Sequence, residues 1–493
     1  MQNEIPDDKL ELIINNFCKL GSEQEHVEFK ENINNEEIIA KTIVAIINSM
    51  TRQNIPRGYF IWGINDKTHE IVGTDFNPSS KKIGNEELEL WLSKYIQPTP
   101  SLCFRKLEVD GKKVIVLVIH SNPLELVKFK NVAYIRIGAN TRKLDEFPNI
   151  EKEVWKNIVE RDYESITAKA CLSKTEVISL LDFDTLYEMR KNNAPVERDA
   201  LFDEAVRCGM VKDNYDTTFD ITNFGALLYA KDINDFPSLK SKAIRIIHYK
   251  GETKLETKSE VRSKSGYIVE FNEMQKYVME KTIDGEFIDN DGIRKIKYLY
   301  PRITIRELFA NIIAHQDLTI NTIQPMVEIY SNRIEFINPG IPLIPKDRFV
   351  DYPPQTRNIK ITDELYKVGI CERRGSGWDK IATEASEYGF SAPSLEITKD
   401  TTRIILTQHK TLFDMTNEER MWSIYIYACL LWVEKKYLTN ALTRKLFNIP
   451  ESNISTASSL LSQAVKSGLI VVFDEQSGTR SRKYLPKYAK QEG

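Results

Sequence analysis

IRELFANIIAHQD, from Ile305 to Asp317, is the segment around which the chain is organised. Glu307, Asn311 and His315 recur there at intervals of four residues. On a helix of 3.6 residues per turn such positions drift by only about 40° per step, so the three side chains project from one side. A carboxylate, an amide and an imidazole along one helical edge suit the binding of a metal and a phosphate chain. The same spacing also fits a half-buried helix with a polar edge, and spacing alone leaves both interpretations open.

Composition sets the outer limits of what the protein can be. The 493 residues are enough for roughly three domain cores, and a net charge of -3 gives no bulk attraction to nucleic acid. The six cysteines contain no C-x-x-C pair, which argues against a disulfide framework and a zinc site. The N-terminus lacks a signal-peptide pattern, and the longest apolar run, 424–433, is about half a membrane span. We therefore expect a cytoplasmic protein without a membrane segment.

The segment 1–150 has the pattern of a compact α+β domain. HVEFKE alternates as a strand does, a polar turn then begins an apolar-striped helix, and GYFIWGIND and HEIVGTDF follow as extended runs. VIVLVIHS and AYIRIG add further strands. Strand, helix and hairpin in this order predict one α+β layer structure, and the whole chain is predicted to be an α+β multidomain protein.

HVEFKE, AIINS, GYFIWGIND and AYIRIGANTRKL, in that order, resemble the Schlafen AlbA-type domain over roughly the first 145 residues. One departure is Pro56-Arg57-Gly58, where the family usually has paired glycines. The family includes nucleic-acid binders and metal-dependent endoribonucleases that cleave RNA such as tRNA. The resemblance carries the three acidic site residues onto Glu23, Glu28 and Asp66, as catalytic groups and ligands of Mg²⁺ or Mn²⁺.

The spacing of these acids does not prove that they converge. Glu28 is five positions after Glu23, and this odd spacing places them on opposite faces of a straight strand unless the chain bends between them. Solvated acidic side chains at strand edges are the alternative. The cations of this segment that are candidates for phosphate contacts, or else ordinary surface charges, are Lys30, Lys41, Arg136, Arg142 and Lys143.

Two stretches without candidate site residues are predicted to connect the segments that contain them. Residues 151–240 show amphipathic helices and one hairpin, the pattern of a small winged-helix-like connector. Residues 252–266, ETKLETKSEVRSKSG, are polar without periodicity and are predicted to form a loop.

From Tyr300 to Leu406 the sequence resembles the divergent, RecG-like GHKL-type ATP-binding module, an α/β sandwich, and the domain is predicted to span residues 241–410. The resemblance rests on E-x-x-x-N-x-x-x-H, NRIEFINPG, QTRNIKI and ERRGSGWDKI in that order. It implies that Asn311 ligates the Mg²⁺ of bound ATP and that Glu307 orients or deprotonates water in any hydrolysis. The residues that it places in the nucleotide site are Glu307, Asn311, His315, Asn338, Gly340, Gly375, Ser376 and Gly377. Asn338 departs from the family, which has an aspartate there to recognise adenine.

Residues 411–493 read as a third kind of unit, a winged helix. Two apolar-striped helices flank YLTNALTRKLFN, and LIVVF and RKYLP then form a hairpin. The wing carries Arg480, Arg482 and Lys483, which suit contacts to nucleic-acid phosphates. Winged helices also dimerise proteins, and a homo-oligomer is expected.

Two classes of function remain open on the sequence. The first is an ATP-responsive nuclease acting on RNA or DNA, as a defence or stress effector would. The second is a non-catalytic, DNA-binding transcriptional regulator with an ATP-sensing module. Whether the N-terminal carboxylates converge distinguishes the two, and their acidity at all three positions favours the nuclease.

Overall fold

A computed structural model gives the fold of most of the chain. It describes residues 5–19, 24–53, 55, 57–120, 125–159, 163–190, 200–214, 218–288, 292–371, 377–387, 391–478 and 481–490. The chain divides into two compact units. The first comprises Met1–Lys174 with Lys212–Asp220, and the second comprises Thr175–Val211 with Ile221–Gly493. The predicted α+β multidomain class is confirmed, whereas the four segment boundaries remain predictions.

The first unit is built on a four-stranded sheet in the order β1-β2-β7-β6. Its helices are α1 (Asp7–Lys19), α2 (Glu36–Gln53), α3 (Leu88–Tyr95) and α4 (Pro148–Val159). Its strands are β1 (Val27–Lys30), β2 (Arg57–Trp62), β3 (Lys82–Ile83), β4 (Glu86–Glu87), β5 (Ile96–Gln97), β6 (Ser101–Val109), β7 (Lys112–His120), β8 (Lys128–Phe129), β9 (Tyr134–Ile137), β10 (Asn140–Lys143) and β11 (Thr167–Leu172). Strands β1 and β2 are parallel and joined through α2, and β7 and β6 continue the sheet antiparallel.

A helix covers each face of this sheet. Because side chains of a strand alternate between faces, Phe60 and Trp62 of β2 join the core beneath α2. Ile61 joins the core beneath α1 on the other face. Gly58 permits the close approach of α2, since a Cβ there would lie 2.6 Å from Met50 Sδ. Glycine at this position therefore has a packing reason in the present chain.

The second unit contains the remaining helices and most of the remaining strands. Its helices are α5 (Lys174–Leu180), α6 (Phe183–Arg190), α7 (Leu201–Arg207), α8 (Asn223–Tyr229), α9 (Tyr267–Lys281), α10 (Arg302–His315), α11 (Ile359–Lys367), α12 (Gly377–Glu387), α13 (Asn417–Val433), α14 (Asn440–Leu446) and α15 (Ile454–Lys466). Strand β12 (Val211–Asp213) begins at the last residue of a second-unit segment and continues in the first unit, and β13 (Phe219–Thr222) has two residues in each unit. The other strands of the second unit are β14 (Arg245–Tyr249), β15 (Thr257–Arg262), β16 (Ile283–Ile288), β17 (Arg294–Tyr298), β18 (Met326–Ile329), β19 (Arg333–Pro339), β20 (Ser394–Ile397), β21 (Thr401–Thr407), β22 (Ile470–Val472) and β23 (Tyr484–Pro486).

A six-stranded sheet in the order β15-β14-β18-β19-β21-β20 supports the central helices. Helix α10 packs against β19 and against its helical neighbours α9, α11 and α12. The ring of Phe309 meets Phe271 of α9 and Phe336 of β19 edge to face, with centroids 6.4 and 5.6 Å apart. One side of α10 is thereby buried.

The structure corrects one loop prediction. Within 252–266, Thr257–Arg262 form the edge strand β15, which pairs antiparallel with β14. Its side chains are almost all exposed, so the strand has no apolar alternation that periodicity can detect.

The C-terminal part has the predicted order of elements. Helices α13, α14 and α15 are followed by the antiparallel pair β22 and β23, around a core that includes Ile424, Leu461 and Ile470. Its assignment as a winged helix remains a prediction. Among the residues described, no helix combines the length and apolarity needed to cross a membrane.

A buried ion pair ties the segment 212–220 into the first unit. Asp220 Oδ1 accepts hydrogen bonds from Arg57 Nη2 at 2.6 Å, Cys171 N at 3.0 Å and Asn214 Nδ2 at 2.8 Å. The side chains of Arg57 and Asp220 are both buried.

We predict that Asp220→Ala lowers the free energy of unfolding of the first unit by about 3 to 5 kcal/mol, because the buried guanidinium loses its counter-charge. Differential scanning calorimetry of the full chain should show the affected transition at a lower temperature. Asp145→Ala removes an exposed carboxylate of the same unit and should leave the transition within error. Equal behaviour of the two variants would contradict the prediction.

Candidate functional site

The polar edge of α10 faces a cavity of about 420 Å³ in the second unit. Glu307, Asn311 and His315 all line it. The buried side of the same helix carries Phe309 against the sheet. The structure thus places the three side chains together, as the four-residue spacing indicated, and their roles as ligands remain predictions.

The opposite walls come from two other motifs. Asn338 and Gly340, at the end of β19, and Gly377, at the start of α12, line the same cavity. Gly340 has φ +100°, and a Cβ there would lie 2.7 Å from Asp317 Cβ, so only glycine fits. The predicted residues Gly375 and Ser376 lie outside the described residues.

A carboxylate lies beside the start of α12. A Cβ on Gly377 would lie 3.0 Å from Glu307 Oε2, so glycine lets this helix begin against the Glu307 carboxylate. Lys380 Nζ, one turn into α12, is 3.6 Å from Glu307 Oε1. Glu307 is buried, and this lysine supplies a nearby positive charge.

His315 is neutral at physiological pH. Its ring is exposed to the cavity, but the protein atoms around it limit the hydration of the imidazolium, which lowers its pKa to about 4, and Arg357 opposes the positive charge as well. A neutral imidazole offers one donor and one acceptor. His315 can therefore hydrogen-bond a ligand without adding charge.

Three cavity-lining side chains carry buried polar atoms without a hydrogen-bond partner among the described residues. They are Asn338 Oδ1, an acceptor, and the donors Arg357 Nε and Trp378 Nε1. Buried polar atoms are normally satisfied, so unpaired ones call for an explanation such as a bound molecule.

The sequence reasoning missed the segment 341–357, which forms much of one wall. Phe349, Tyr352 and Arg357 of this segment line the cavity. Arg357 Nη1 pairs with Asp317 Oδ2 at 3.2 Å, and its Nη2 donates to Ile341 O at 2.8 Å. Arg357 lies within the motif QTRNIKI, so the motif contained a signal for this residue.

The same segment also contacts the C-terminal elements of the second unit. Tyr425 Oη of α13 donates to Asp347 O at 2.5 Å. The Lys346 ammonium lies 5.5 Å from the Trp422 ring centroid, and the Arg348 guanidinium lies 4.2 Å from that of Tyr488. One wall of the cavity is therefore in direct contact with α13 and with the end of the chain.

In the first unit, two of the three predicted acids converge on one cation. Lys30 Nζ lies 3.0 Å from Glu28 Oε1 and 3.3 Å from Asp66 Oδ2. The second oxygen of Glu28, Oε2, pairs with Arg136 Nη1. Glu23 lies outside the described residues. Within the described part of the chain, no group of three or more His, Cys, Asp or Glu residues is arranged to hold a metal ion.

The burial of Arg136 corrects one of the predicted phosphate contacts. Its side chain has no exposed surface, and its guanidinium pairs with Glu28. The pKa of His26 is lowered to about 4, mainly because burial removes water from its ring and also because the positive charge of Arg136 is nearby. Arg136 is thus an internal counter-ion of Glu28, because a fully buried guanidinium cannot reach a phosphate on the surface.

The other predicted cations differ in their availability. Lys41 pairs with Glu37 at 3.4 Å, whereas Arg142 and Lys143 are exposed on β10. On the wing, Lys483 lies over the Tyr437 ring at 5.2 Å and Arg482 is partly buried. Arg480 lies outside the described residues. Contacts of these cations with nucleic acid remain predictions.

Comparison with known proteins identifies two modules in the chain. Residues 23–145 match the family model of the Schlafen AlbA_2 domain. Residues 323–406 match the model described as the C-terminal domain of the putative ATP-dependent DNA helicase RecG. The chain thus combines a Schlafen AlbA-type domain with an ATPase-like module, and the resemblance predicted from the motifs is confirmed.

Whole-chain similarities are distant. No curated protein matches the chain. Among solved structures, the crystal structure of the DIP2311 protein from Corynebacterium diphtheriae is similar, with 17% sequence identity, 98% of this chain and 97% of that chain covered, and a TM-score of 0.42.

We predict that His315 titrates with a midpoint near pH 4 instead of the 6.5 that is usual for a histidine side chain. Between these values the folded state binds fewer protons than the unfolded state, so the stability contributed by His315 is present above pH 6.5 and is lost as the pH falls through 4. NMR of the imidazole, assigned with His315→Gln, measures the midpoint. Arg357→Gln removes the smaller cause and should raise the midpoint while leaving it below 6.5. A midpoint at 6.5 in the parent protein would refute the burial argument.

Proposed function

We propose that the cavity of the second unit binds ATP and that the nucleotide regulates action on nucleic acid by the Schlafen AlbA-type domain. The observation that carries this proposal is the cavity lining. Every described residue that the ATP-module resemblance assigned to the nucleotide site lines this one cavity, although these residues come from three separate motifs. The match of residues 323–406 to an ATPase-like module supports the same proposal.

The residues present fit the parts of a nucleotide. Asn338 Oδ1 is a buried acceptor that has no partner among the described residues, which suits the amino group of adenine even though an amide replaces the carboxylate of the family. Gly377 begins α12, whose first backbone N-H groups suit phosphate oxygens. Asn311 would hold Mg²⁺, which when bound neutralises charge on the phosphates. Glu307 would orient or deprotonate water in any hydrolysis.

The segment 341–357 offers a route for regulation. It lines the cavity through Phe349 and Tyr352 and contacts α13 through Asp347 and Tyr425. A ligand shifts a conformational equilibrium only by its differential contacts with the two states. A nucleotide that contacts this wall would change the energy of its contacts with the C-terminal helices.

We predict that Asn338→Ala weakens ATP binding by up to about tenfold, since one hydrogen bond contributes about 0.5 to 1.5 kcal/mol. It should weaken GTP binding less, because guanine presents a carbonyl in place of the adenine amino group. Isothermal titration calorimetry with Mg²⁺ measures both affinities. Asn321→Ala alters an exposed asparagine outside the cavity lining and should leave both unchanged.

Two results would count against the nucleotide proposal. One is the absence of ATP binding to the parent protein at millimolar concentration. The other is unchanged ATP affinity in both Asn338→Ala and Asn311→Ala, which would place any nucleotide elsewhere on the protein.

For the first unit, the proposed action is metal-dependent cleavage of RNA, with tRNA as the favoured substrate. Glu28 and Asp66 already share one cation, Lys30, so their carboxylates point to a common position. Clustered carboxylates bind Mg²⁺ or Mn²⁺, which when bound polarises a phosphate. The exposed cations Arg142 and Lys143 would hold the RNA backbone without reading its sequence.

A second function is favoured by the ion pairs of Glu28. One oxygen of this buried carboxylate faces Lys30 and the other pairs with Arg136, so both are occupied by cations of the protein itself. Such a carboxylate can stabilise the fold through its ion pairs without binding a metal. The alternative is a non-catalytic, DNA-binding regulator in which ATP controls the C-terminal helices.

We predict that Asp66→Asn lowers Mn²⁺-dependent cleavage of tRNA by at least about tenfold, the loss typical of a disturbed metal site. Asp66 is the better probe because it is partly exposed, whereas Glu28 has a buried partner whose charge would be stranded. Asp75→Ala removes another exposed carboxylate of this unit and should retain cleavage. If the parent protein cleaves neither tRNA nor DNA with Mn²⁺, with or without ATP, the nuclease proposal fails and DNA binding alone would support the regulator.

A further inference from the structure

A two-stranded hairpin of the second unit is exposed to solvent along both of its strands. Strands β16 and β17 pair only with each other, and Leu299 N donates to Thr282 O at 2.8 Å to close the hairpin at its base. Every residue of the two strands is exposed except Gly285, which is half-exposed. Among the described residues, no further strand pairs with either edge of the hairpin, and the side chains on both of its faces are exposed.

An isolated hairpin of this kind is marginally stable in water. Stability normally requires further strands or a packed apolar face, and open edges invite pairing with another chain. Large apolar side chains on such a surface mark an interaction site. The physical expectation is that something covers this hairpin when the protein functions.

The register shows that one face of the hairpin is apolar. Cross-strand partners share a face of a hairpin. One face carries three such pairs: Ile283 with Tyr298, Glu286 with Ile296, and Ile288 with Arg294. Four large apolar side chains are thus on this face: Ile283, Ile288, Ile296 and Tyr298. Ile288 is 69% exposed. The opposite face carries Phe287 between lysines.

The two strands have opposite charge. Strand β16 carries Asp284 and Glu286, and β17 carries Arg294, Lys295 and Lys297. Ion pairs join Glu286 to Arg294 at 2.9 Å and Asp284 to Lys297 at 2.6 Å. Because acids compensate most of these cations, the hairpin is poorly suited to a polyphosphate backbone. On the apolar face the charged residues are Glu286 of β16 and Arg294 of β17, so this face has one acidic and one basic strand and is complementary to a copy of itself.

We propose that this hairpin is a dimerisation arm and that its partner is the same hairpin of a second copy of the chain. The two apolar faces pack together about a two-fold axis parallel to the strands. This symmetry places β16 of each copy over β17 of the other, so acidic strands meet basic strands. A face of this size is at the low end of specific interfaces, and the dimer dissociates in the micromolar range.

The first experiment measures the mass of the full-length protein by sedimentation over roughly 1 to 100 µM, a range that brackets micromolar dissociation. The parent protein should pass from monomer to dimer. Ile288→Thr with Ile296→Thr removes apolar area but keeps β-branched side chains that favour strands. This double variant should raise the dissociation constant at least tenfold. Leu255→Thr, at a side chain of the same unit that is 89% exposed, is the matched control and should dimerise as the parent does.

A charge exchange tests the arrangement of the strands. One variant makes both strands basic through Asp284→Lys and Glu286→Lys, and a second makes both acidic through Arg294→Glu, Lys295→Glu and Lys297→Glu. Each alone should be monomeric, and their equimolar mixture should form a heterodimer. Circular dichroism of each variant checks that the remainder of the fold is kept.

Three outcomes overturn the proposal. The parent protein is a monomer throughout the concentration range, or the threonine double variant dimerises as tightly as the parent, which would place the interface elsewhere. The third is that the double variant loses affinity for RNA or DNA without a change in mass, which would make the hairpin a nucleic-acid ribbon. Since none of these measurements depends on nucleotide, failure here leaves the ATP proposal untouched.

Discussion

The packing of Phe309 between Phe271 and Phe336 is the contact on which the second unit depends. It fixes the rotation of α10 on the sheet, and a helix has no freedom to turn one face without the other. The residues on the other side of the helix, Glu307, Asn311 and His315, therefore line the cavity. Packing of the apolar side of α10 thus positions polar groups that do not attract one another strongly, among them the buried carboxylate of Glu307 and the neutral imidazole of His315.

Burial has the opposite consequence for the first unit. Arg136 is fully enclosed, and such a charge is tolerated only with a partner, which Glu28 provides. Arg136 and Glu28 therefore neutralise each other, and a ligand of Glu28 has to compete with this ion pair. Lys30, which is partly exposed and shared by Glu28 and Asp66, is the adjustable member of the cluster. Any cation that enters between these carboxylates competes with this ammonium group, so the energetic cost of binding depends on where Lys30 can go.

The sequence predicted the α+β class and the two modules because each rests on several ordered motifs. It predicted which residues of α10 share an edge, since helical spacing alone determines that. It could not predict Arg136 as internal, because a lone arginine in a strand has the same pattern whether buried or exposed. The strand β15 was missed for a related reason, since an exposed edge strand has polar residues on both faces. The wall 341–357 was missed because irregular segments have no period, and only folding brings Phe349 and Tyr352 to the cavity.

The position of the β16–β17 hairpin in the chain gives the two proposed sites a physical relation. Tyr298 ends β17, Tyr300 is buried, and α10 begins at Arg302, so a few residues separate the exposed apolar face from the helix that lines the cavity. The buried hydroxyl of Tyr300 donates to Leu406 O at 3.3 Å, which anchors this junction on the sheet. A force on the hairpin is therefore taken up by the sheet at Tyr300 before it reaches α10. Rigid anchoring of this kind favours a dimer arm that holds two cavities at a set separation over one that opens or closes them.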